Sequence, residues 1–150
     1  MAPRGGDDGG AAAGTSDPPP RLFVYGSLRM GEENEMARLL HGHSRYLGPG
    51  TIRARMYAID WCCGAVSSDD PADVVHGEVF ELHAASAGEV MAALNAYEGD
   101  DYALREVAVA LAGETSLPAH AYLFAASVAG LTCVPHGRWP RQARRTDESG

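Results

Sequence analysis

The stretch that decides the fold reads Phe23-Val24-Tyr25-Gly26-Ser27-Leu28-Arg29. A continuous apolar run leads into it, and residues 21–25 therefore predict a strand that is buried on both faces. The strand ends abruptly at a glycine and a serine, and a polar, helix-like segment follows. A strand that breaks in this way before a helix leaves backbone N–H groups unpaired, and such groups can hold an anion or a developing oxyanion.

The composition limits the possible classes of function. The chain has 150 residues, of which 45% are hydrophobic, and this is enough for one domain with a hydrophobic core. Its apolar runs are shorter than a membrane span and its N-terminus has no secretory signal pattern, so we expect a cytoplasmic protein without a membrane contact. The formal net charge of −8 argues against a nucleic-acid partner, and the absence of lysine excludes a lysine nucleophile.

The cysteines and histidines do not follow the pattern of a disulfide framework or a zinc site. Cys62 and Cys63 are adjacent and Cys133 stands apart, which gives an odd count without a C-x-x-C spacing. His41 and His43 could hold a metal from a strand, but a loop after a helix is the better interpretation. We therefore expect no metal and no organic cofactor.

The order of predicted elements indicates an α+β fold. Glycine and proline dominate residues 1–20, so we expect disordered tails at 1–20 and 141–150 and one domain at 21–140. Strands are predicted at residues 21–25, 51–59, 74–82, 102–111 and 119–125, helices at 32–41 and 86–97, a break at 48–50, a loop at 62–73, and no element after 125. Because strands and helices do not alternate, the order favours a small mixed β-barrel or sheet with two or more flanking helices.

Two details of these elements concern function. Gly77 predicts a bulge or a close backbone approach. Glu78 and Glu81 fall on opposite sides of that strand; one of them could face the cavity and orient the substrate, but solvent exposure is the expected state. Ser86 and Glu89 have the spacing of a capping box at the start of the second helix, and Gly99 is a natural stop at its end.

Glu98 lies just before that stop. The partial negative charge of the helix end would raise the pKa of its carboxyl group, and burial would act in the same direction. Such a carboxyl group can take and return a proton near neutral pH. On the residues alone, a solvated glutamate at a helix end is the simpler interpretation.

Three segments of the chain follow one another in a recognisable order. The first is Val-Tyr-Gly-Ser-Leu-Arg at residues 24–29, and the second is His-Gly-Glu-Val-Phe-Glu-Leu at residues 76–82. The third runs from Leu94 through Tyr97-Glu98-Gly99 to Val107, and residues 135–139 add a looser fourth. Over residues 22–140 the set resembles the gamma-glutamylcyclotransferase family, the fold group that includes the avirulence-induced-gene-like proteins.

The resemblance implies a lyase or transferase that acts on a small-molecule γ-glutamyl substrate. The α-amine of the substrate attacks its own γ-amide carbonyl, 5-oxoproline forms, and an amine leaves. The substrate supplies the nucleophile, so the protein needs only a base and an acid, and the family's glutamate corresponds to Glu98. The candidates for substrate binding are Tyr25, Gly26, Ser27, Leu28, Arg29 and Tyr102.

Other interpretations remain open at the level of sequence. A non-catalytic module could keep the same fold to bind a small anion, although it would not need a proton-carrying Glu98. A serine hydrolase built on Ser27 is disfavoured because a Gly-x-Ser-x-Gly motif is absent around it, and Ser27 is expected to shape the turn or to bond the substrate. Tyr102 and Arg105 can line the site, but packing and a surface ion pair explain them equally well. The sequence predicts no oligomeric state.

Overall fold

The computed structural model describes residues 19–32, 34–59, 62–111 and 116–139. In chain order the elements within these residues are β1 (Arg21–Val24), α1 (Glu35–Gly42), β2 (Ser44–Ile59), β3 (Cys62–Ser67), β4 (Val74–Leu82), α2 (Ala87–Glu98), β5 (Tyr102–Leu111), β6 (Ser116–Phe124) and β7 (Thr132–Val134). Apart from residues 19–20, the predicted disordered tails lie outside the described residues.

Five of the described strands close into a barrel. Their order is β2-β4-β1-β6-β5, and a pairing between β2 and β5 completes the ring. β1 and β6 run parallel, whereas the other neighbours in the ring run antiparallel. This arrangement confirms the predicted α+β fold with a small mixed barrel and flanking helices.

β1 is buried on both faces, as its continuous apolar sequence predicted. Phe23 belongs to the apolar cluster inside the barrel. Leu22 and Val24 belong to a second cluster outside it, together with Leu40 of α1 and Leu94 of α2. Because packing holds β1 from both sides, its end is a fixed point from which the chain leaves the sheet.

The exit from β1 depends on Gly77 in β4. A β-carbon added there would press on the carbonyl group of Val24 and would lie 2.7 Å from the ring of Phe23. Gly77 pairs with Gly50 in regular register. Of the two predicted roles of Gly77, the structure therefore shows the close backbone approach and not a bulge.

Residues 62–73 do not form one loop, so that prediction was wrong. Cys62–Ser67 is strand β3, which pairs antiparallel with the second half of β2. This short segment has no alternating apolar pattern, and its strand conformation comes from its pairing with β2. The turn signal at residues 69–71 falls in the connection to β4, where it was expected.

Two other differences concern the long strand β2 and the end of the domain. The expected break at residues 48–50 is absorbed by an irregularity of register between Tyr46 and Gly48, and β2 continues through it. The segment after β6 adds β7, which pairs with β2, and the carbonyl group of Gly137 accepts a hydrogen bond from His76 N at 2.8 Å.

The helix ends show which caps are formed. α1 starts three residues later than predicted because Asn34 caps it, with Oδ1 accepting from Ala37 N at 2.8 Å. The predicted capping box of α2 is not formed, since the Ser86 hydroxyl lies 3.2 Å from His43 Nδ1 and makes no side-chain cap. Gly99 follows α2 with a φ of 80°, which confirms the predicted stop.

Candidate active site

A cavity of about 230 Å³ lies where the exit of β1, the start of β3, the end of α2 and the start of β5 meet. We call residues 25–28 the glycine loop. The cavity brings together six of the residues predicted for the site, namely Tyr25, Gly26, Ser27, Leu28, Glu98 and Tyr102.

The glycine loop begins at a buried tyrosine that fixes it to two strands. The Tyr25 hydroxyl donates a hydrogen bond to the carbonyl group of Tyr122 in β6 at 2.6 Å and accepts one from Ala65 N in β3 at 3.1 Å. Burial raises the pKa of Tyr25 well above its ordinary value, so the hydroxyl keeps its proton and continues to donate.

Three side chains hold the successive carbonyl groups of the loop. Gly26 O accepts from Arg29 Nε at 2.8 Å, Ser27 O from Asn34 Nδ2 at 2.6 Å, and Leu28 O from His41 Nε2 at 2.7 Å. A carbonyl oxygen only accepts, so the last bond requires the proton of the imidazole on Nε2.

These anchors also set the direction of the loop's N–H groups. None of the three donor side chains is among the described residues that line the cavity. The C=O and N–H groups of one trans peptide point in opposite directions. The N–H groups of Ser27 and Leu28 are therefore turned away from the anchors, and the N–H group of Ser27 interacts with the sulfur atom of Cys62 in the cavity wall.

Glu78 supports the chain just beyond the loop, and it is buried rather than exposed as predicted. Only 8% of its surface is accessible, and Oε1 accepts a hydrogen bond from Met30 N at 2.7 Å. The prediction was wrong because this partner lies in a distant part of the sequence. Glu81, on the other side of β4, is partly exposed and forms ion pairs with Arg21 and Arg45.

Glu98 is the last residue of α2 and lies in the wall of the cavity. Burial raises the pKa of its carboxyl group to about 7, and the nearby Cys62 charge adds to this increase. Desolvation is therefore the first cause, ahead of any effect of the helix end. The preceding Tyr97 connects the helix to the loop, since its hydroxyl lies 3.0 Å from Ser27 Oγ.

The remaining candidates occupy different positions. Tyr102 lines the cavity and donates a hydrogen bond from its hydroxyl to the carbonyl group of Cys63 at 2.9 Å. Arg29 contacts the loop's carbonyl group but is not among the cavity-lining residues, and it also lies 3.7 Å from Glu32 in a buried ion pair. Arg105 is exposed and donates to the neighbouring carbonyl group of Leu104.

The sequence did not assign a role to two further residues of the cavity wall. Cys62 and Cys63 both line it, at the start of β3. Hydrogen bonds from Cys63 and Ser27 lower the pKa of Cys62 to about 6, while contact with Cys62 and burial raise the pKa of Cys63. Their adjacency in the sequence was visible, but nothing local placed them beside the glycine loop.

Two kinds of feature are absent from the described part of the chain. No group of three or more His, Cys, Asp or Glu side chains there is arranged to hold a metal ion. No helix there is long and apolar enough to cross a membrane.

The family of the chain follows from a comparison with family models. The model described as gamma-glutamyl cyclotransferase, AIG2-like, matches residues 22–141. The chain belongs to this family. The match includes the glycine loop, Glu98 and Tyr102, so both sides of the cavity lie within the family domain.

Solved structures show the same fold. The YkqA protein of Bacillus subtilis has a TM-score of 0.64 at 22% identity, and the match covers 88% of this chain but 43% of that one, so this chain spans less than half its length. An AIG2-like protein from Mus musculus has a TM-score of 0.62 at 19% identity, and the match covers 84% of this chain and 99% of that one. The ytfP protein of Escherichia coli is 30% identical, with a TM-score of 0.54. The match covers 79% of this chain and 95% of that one. The comparison with curated proteins gave no match.

Proposed function

We propose that the protein is a gamma-glutamyl cyclotransferase that converts a small γ-glutamyl compound into 5-oxoproline and a free amine, with Glu98 as general acid and base. The observation that carries the proposal is a carboxyl group with a pKa of about 7 in the same cavity as the glycine loop. Such a group is present in both protonation states near neutral pH, as a proton shuttle must be.

The reaction needs a base first, because an α-amine with an ordinary pKa of about 7.7–8.0 is largely protonated at pH 7. Glu98 takes a proton from this amine, and the nitrogen attacks the γ-carbonyl carbon to form a five-membered ring and a tetrahedral oxyanion. Glu98 then gives this proton to the leaving nitrogen and takes the surplus proton of the ring nitrogen, which passes to the released amine. The bond between that nitrogen and the γ-carbon breaks, which releases the amine and 5-oxoproline.

The glycine loop supplies the fixed part of the site. The N–H groups of Ser27 and Leu28 bind the oxyanion or the carboxylate of the glutamyl group. The side-chain anchors on the loop's carbonyl groups support this role, because donors that are already oriented need no rearrangement during the reaction. Arg29 then acts through its bond to Gly26 rather than by touching substrate.

The size of the cavity indicates which part of a substrate it encloses. Drug-sized ligands occupy pockets of about 300–1,000 Å³, and this cavity has about 230 Å³. It therefore holds the glutamyl part, while the leaving amine lies at the opening. The cytoplasmic location and the lack of a nucleic-acid partner stay predictions.

A direct test measures 5-oxoproline released from γ-glutamyl amino acids, γ-glutamyl amines and glutathione. Glu98→Gln keeps the size and polarity of the side chain but cannot carry the proton, so we expect kcat to fall by about 10²–10⁴-fold. Glu89→Gln is the matched control, because Glu89 is an exposed glutamate on the same helix and should have wild-type activity.

Two outcomes would contradict the proposal. If Glu98→Gln turned over as fast as wild type, the acid–base role would be wrong. If no compound gave 5-oxoproline but some bound in the cavity, the protein would be a binding module for small anions and not a cyclotransferase.

A further inference from the structure

The proposed cyclisation uses neither Cys62 nor Cys63, although both line the cavity. Cys62 is partly exposed, whereas only 3% of the surface of Cys63 is accessible. Their sulfur atoms converge on one point, since each lies 3.3 Å from the position that a β-carbon would take at Gly26. Successive side chains of a strand normally point to opposite faces, so this convergence at the start of β3 places two thiols against the glycine loop.

Hydrogen-bond donors surround the sulfur atom of Cys62. The hydrogen bond from the Cys63 thiol lowers the pKa of Cys62 most, and burial opposes it. The N–H group of Cys63 and the N–H and hydroxyl groups of Ser27 lower this pKa further. Cys63 keeps its proton and acts as donor, although the charge of Arg29 opposes the increase in its pKa. Because the thiolate is the nucleophilic form of cysteine, Cys62 is the reactive member of the pair.

Other titratable groups face this sulfur atom across the cavity. Tyr97 and Glu98 come from the end of α2 and Tyr102 from β5, and Asp101 lies between them. The charge of Cys62 contributes to the raised pKa of both tyrosines and of Glu98. At pH 6 both tyrosines and most of Glu98 are therefore neutral, and Glu98 opposes the thiolate increasingly as it ionises through pH 7.

We propose that Cys62 is a modification site for small disulfides and that the attached group occupies the cavity beside the glycine loop. The Cys62 thiolate attacks one sulfur atom of a disulfide R–S–S–R, and a new S–S bond forms as the old one breaks. The other half leaves as R–S⁻ and takes a proton from solvent. Cys62 is oxidised to the disulfide level, and the released thiol is the reduced product.

Cys63 does not resolve this product by forming a disulfide with its neighbour. The Cα atoms of consecutive residues are about 3.8 Å apart, whereas disulfides join Cα atoms at about 4.4–6.8 Å. The reaction therefore stops at the mixed disulfide, and an added thiol reverses it.

The consequence for activity rests on the proposed function. A group attached to Cys62 lies against Ser27 and in the same cavity as Glu98. It therefore competes with the glutamyl group for the space and for the loop's donors. Disulfide treatment should abolish cyclisation, and reduction should restore it.

Intact-protein mass spectrometry with 2-hydroxyethyl disulfide tests the site. The Cys133→Ser protein lacks the exposed cysteine and serves as reference. It should gain one hydroxyethylthio group, which dithiothreitol removes. Adding Cys62→Ser should abolish the gain, whereas adding Cys63→Ser should leave it.

The rate in the wild-type chain gives a second readout that needs no variant in the cavity. Peptide mapping should locate the group on Cys62 and on Cys133, with Cys62 reacting about tenfold faster at pH 6. At pH 6 the thiolate fraction of Cys62 is larger than that of a cysteine with an ordinary pKa. This gain outweighs the lower nucleophilicity of the more acidic thiol.

Three results would overturn the modification site. They are an equal gain with and without Cys62, a Cys62 rate no higher than that of Cys133 at pH 6, and an internal Cys62–Cys63 disulfide in place of the adduct. All three results are read from masses and do not depend on activity.

If the adduct forms but no γ-glutamyl compound yields 5-oxoproline, the modification site stands and the proposed function fails. If the modified protein still makes 5-oxoproline at the full rate, the adduct does not block the cavity.

Discussion

The two walls of the cavity are built in opposite ways. The glycine loop has no regular secondary structure, yet Ser27 and Leu28 are buried and side chains hold the carbonyl groups from Gly26 to Leu28. The adjoining wall is the start of a regular strand, but its first residue, Cys62, is partly exposed and carries a reactive sulfur atom. Regular secondary structure therefore does not identify the more firmly held wall.

The difference between the two walls corresponds to two tasks, the binding of a developing charge and the modification of a thiol. A wall whose donors must match a developing charge needs fixed geometry, and the loop obtains it from bonds to its own carbonyl groups. A wall that carries a modifiable thiol needs access and a charged sulfur atom, and the start of β3 supplies both. Separate variants can therefore test the two tasks, and the hydrogen bonds from Ser27 to Cys62 are the link between the two walls.

The largest expected effect comes from Gly77, which packs against the end of the strand that leads into the glycine loop. Gly77→Ala places a methyl group against the carbonyl group of Val24 and the ring of Phe23, at the point where β1 leads into the loop. We expect the free energy of unfolding to fall by about 3 kcal/mol, as for other overpacked sites, measured by urea denaturation.

Gly88→Ala is the matched control for this variant. Gly88 lies in α2 with no atom within 4 Å of an added β-carbon. Its replacement by alanine should stabilise the protein by about 0.5–1 kcal/mol. Equal effects of the two variants would mean that Gly77 is not a point of close approach.

A smaller effect should follow from loosening one anchor of the loop. Asn34→Asp keeps the oxygen that caps α1 but loses the donor to the carbonyl group of Ser27. The loss of one good hydrogen bond, about 1–1.5 kcal/mol, predicts a fall in kcat/KM of about tenfold, with the helix content by circular dichroism unchanged. A fall in kcat would indicate that the loop holds the oxyanion, and a rise in KM that it holds the substrate carboxylate. Unchanged kinetics would show that the anchor does not orient the loop.

The sequence predicted those parts of the molecule that local patterns encode. The buried strand β1 was visible as a continuous apolar run, and the end of α2 was marked by Gly99. The motif around Glu98 and the glycine loop identified two parts of the candidate site, and the structure places them in one cavity.

The parts that could not be predicted depend on partners distant in the chain. Cys62–Ser67 is a strand because β2 pairs with it, and its own residues do not encode that conformation. Glu78 is buried because it accepts from Met30 N, which is 48 residues away. The anchors Asn34 and His41 bind backbone carbonyl groups, an interaction that side-chain patterns do not reveal.

The smallest expected effect tests whether the reactive wall influences the catalytic carboxyl group. Cys62→Ser keeps the size of the side chain but removes its charge, which now raises the pKa of Glu98. The pKa of Glu98 should therefore fall from about 7, but by less than about one unit, since burial is the larger cause and stays in place. A base with a lower pKa is ionised at lower pH, so the acid limb of the plot of kcat/KM against pH should move to lower pH. Cys133→Ser is the control and should leave this limb unchanged. If the limb moved to higher pH in Cys62→Ser, the sulfur atom would carry no negative charge near Glu98.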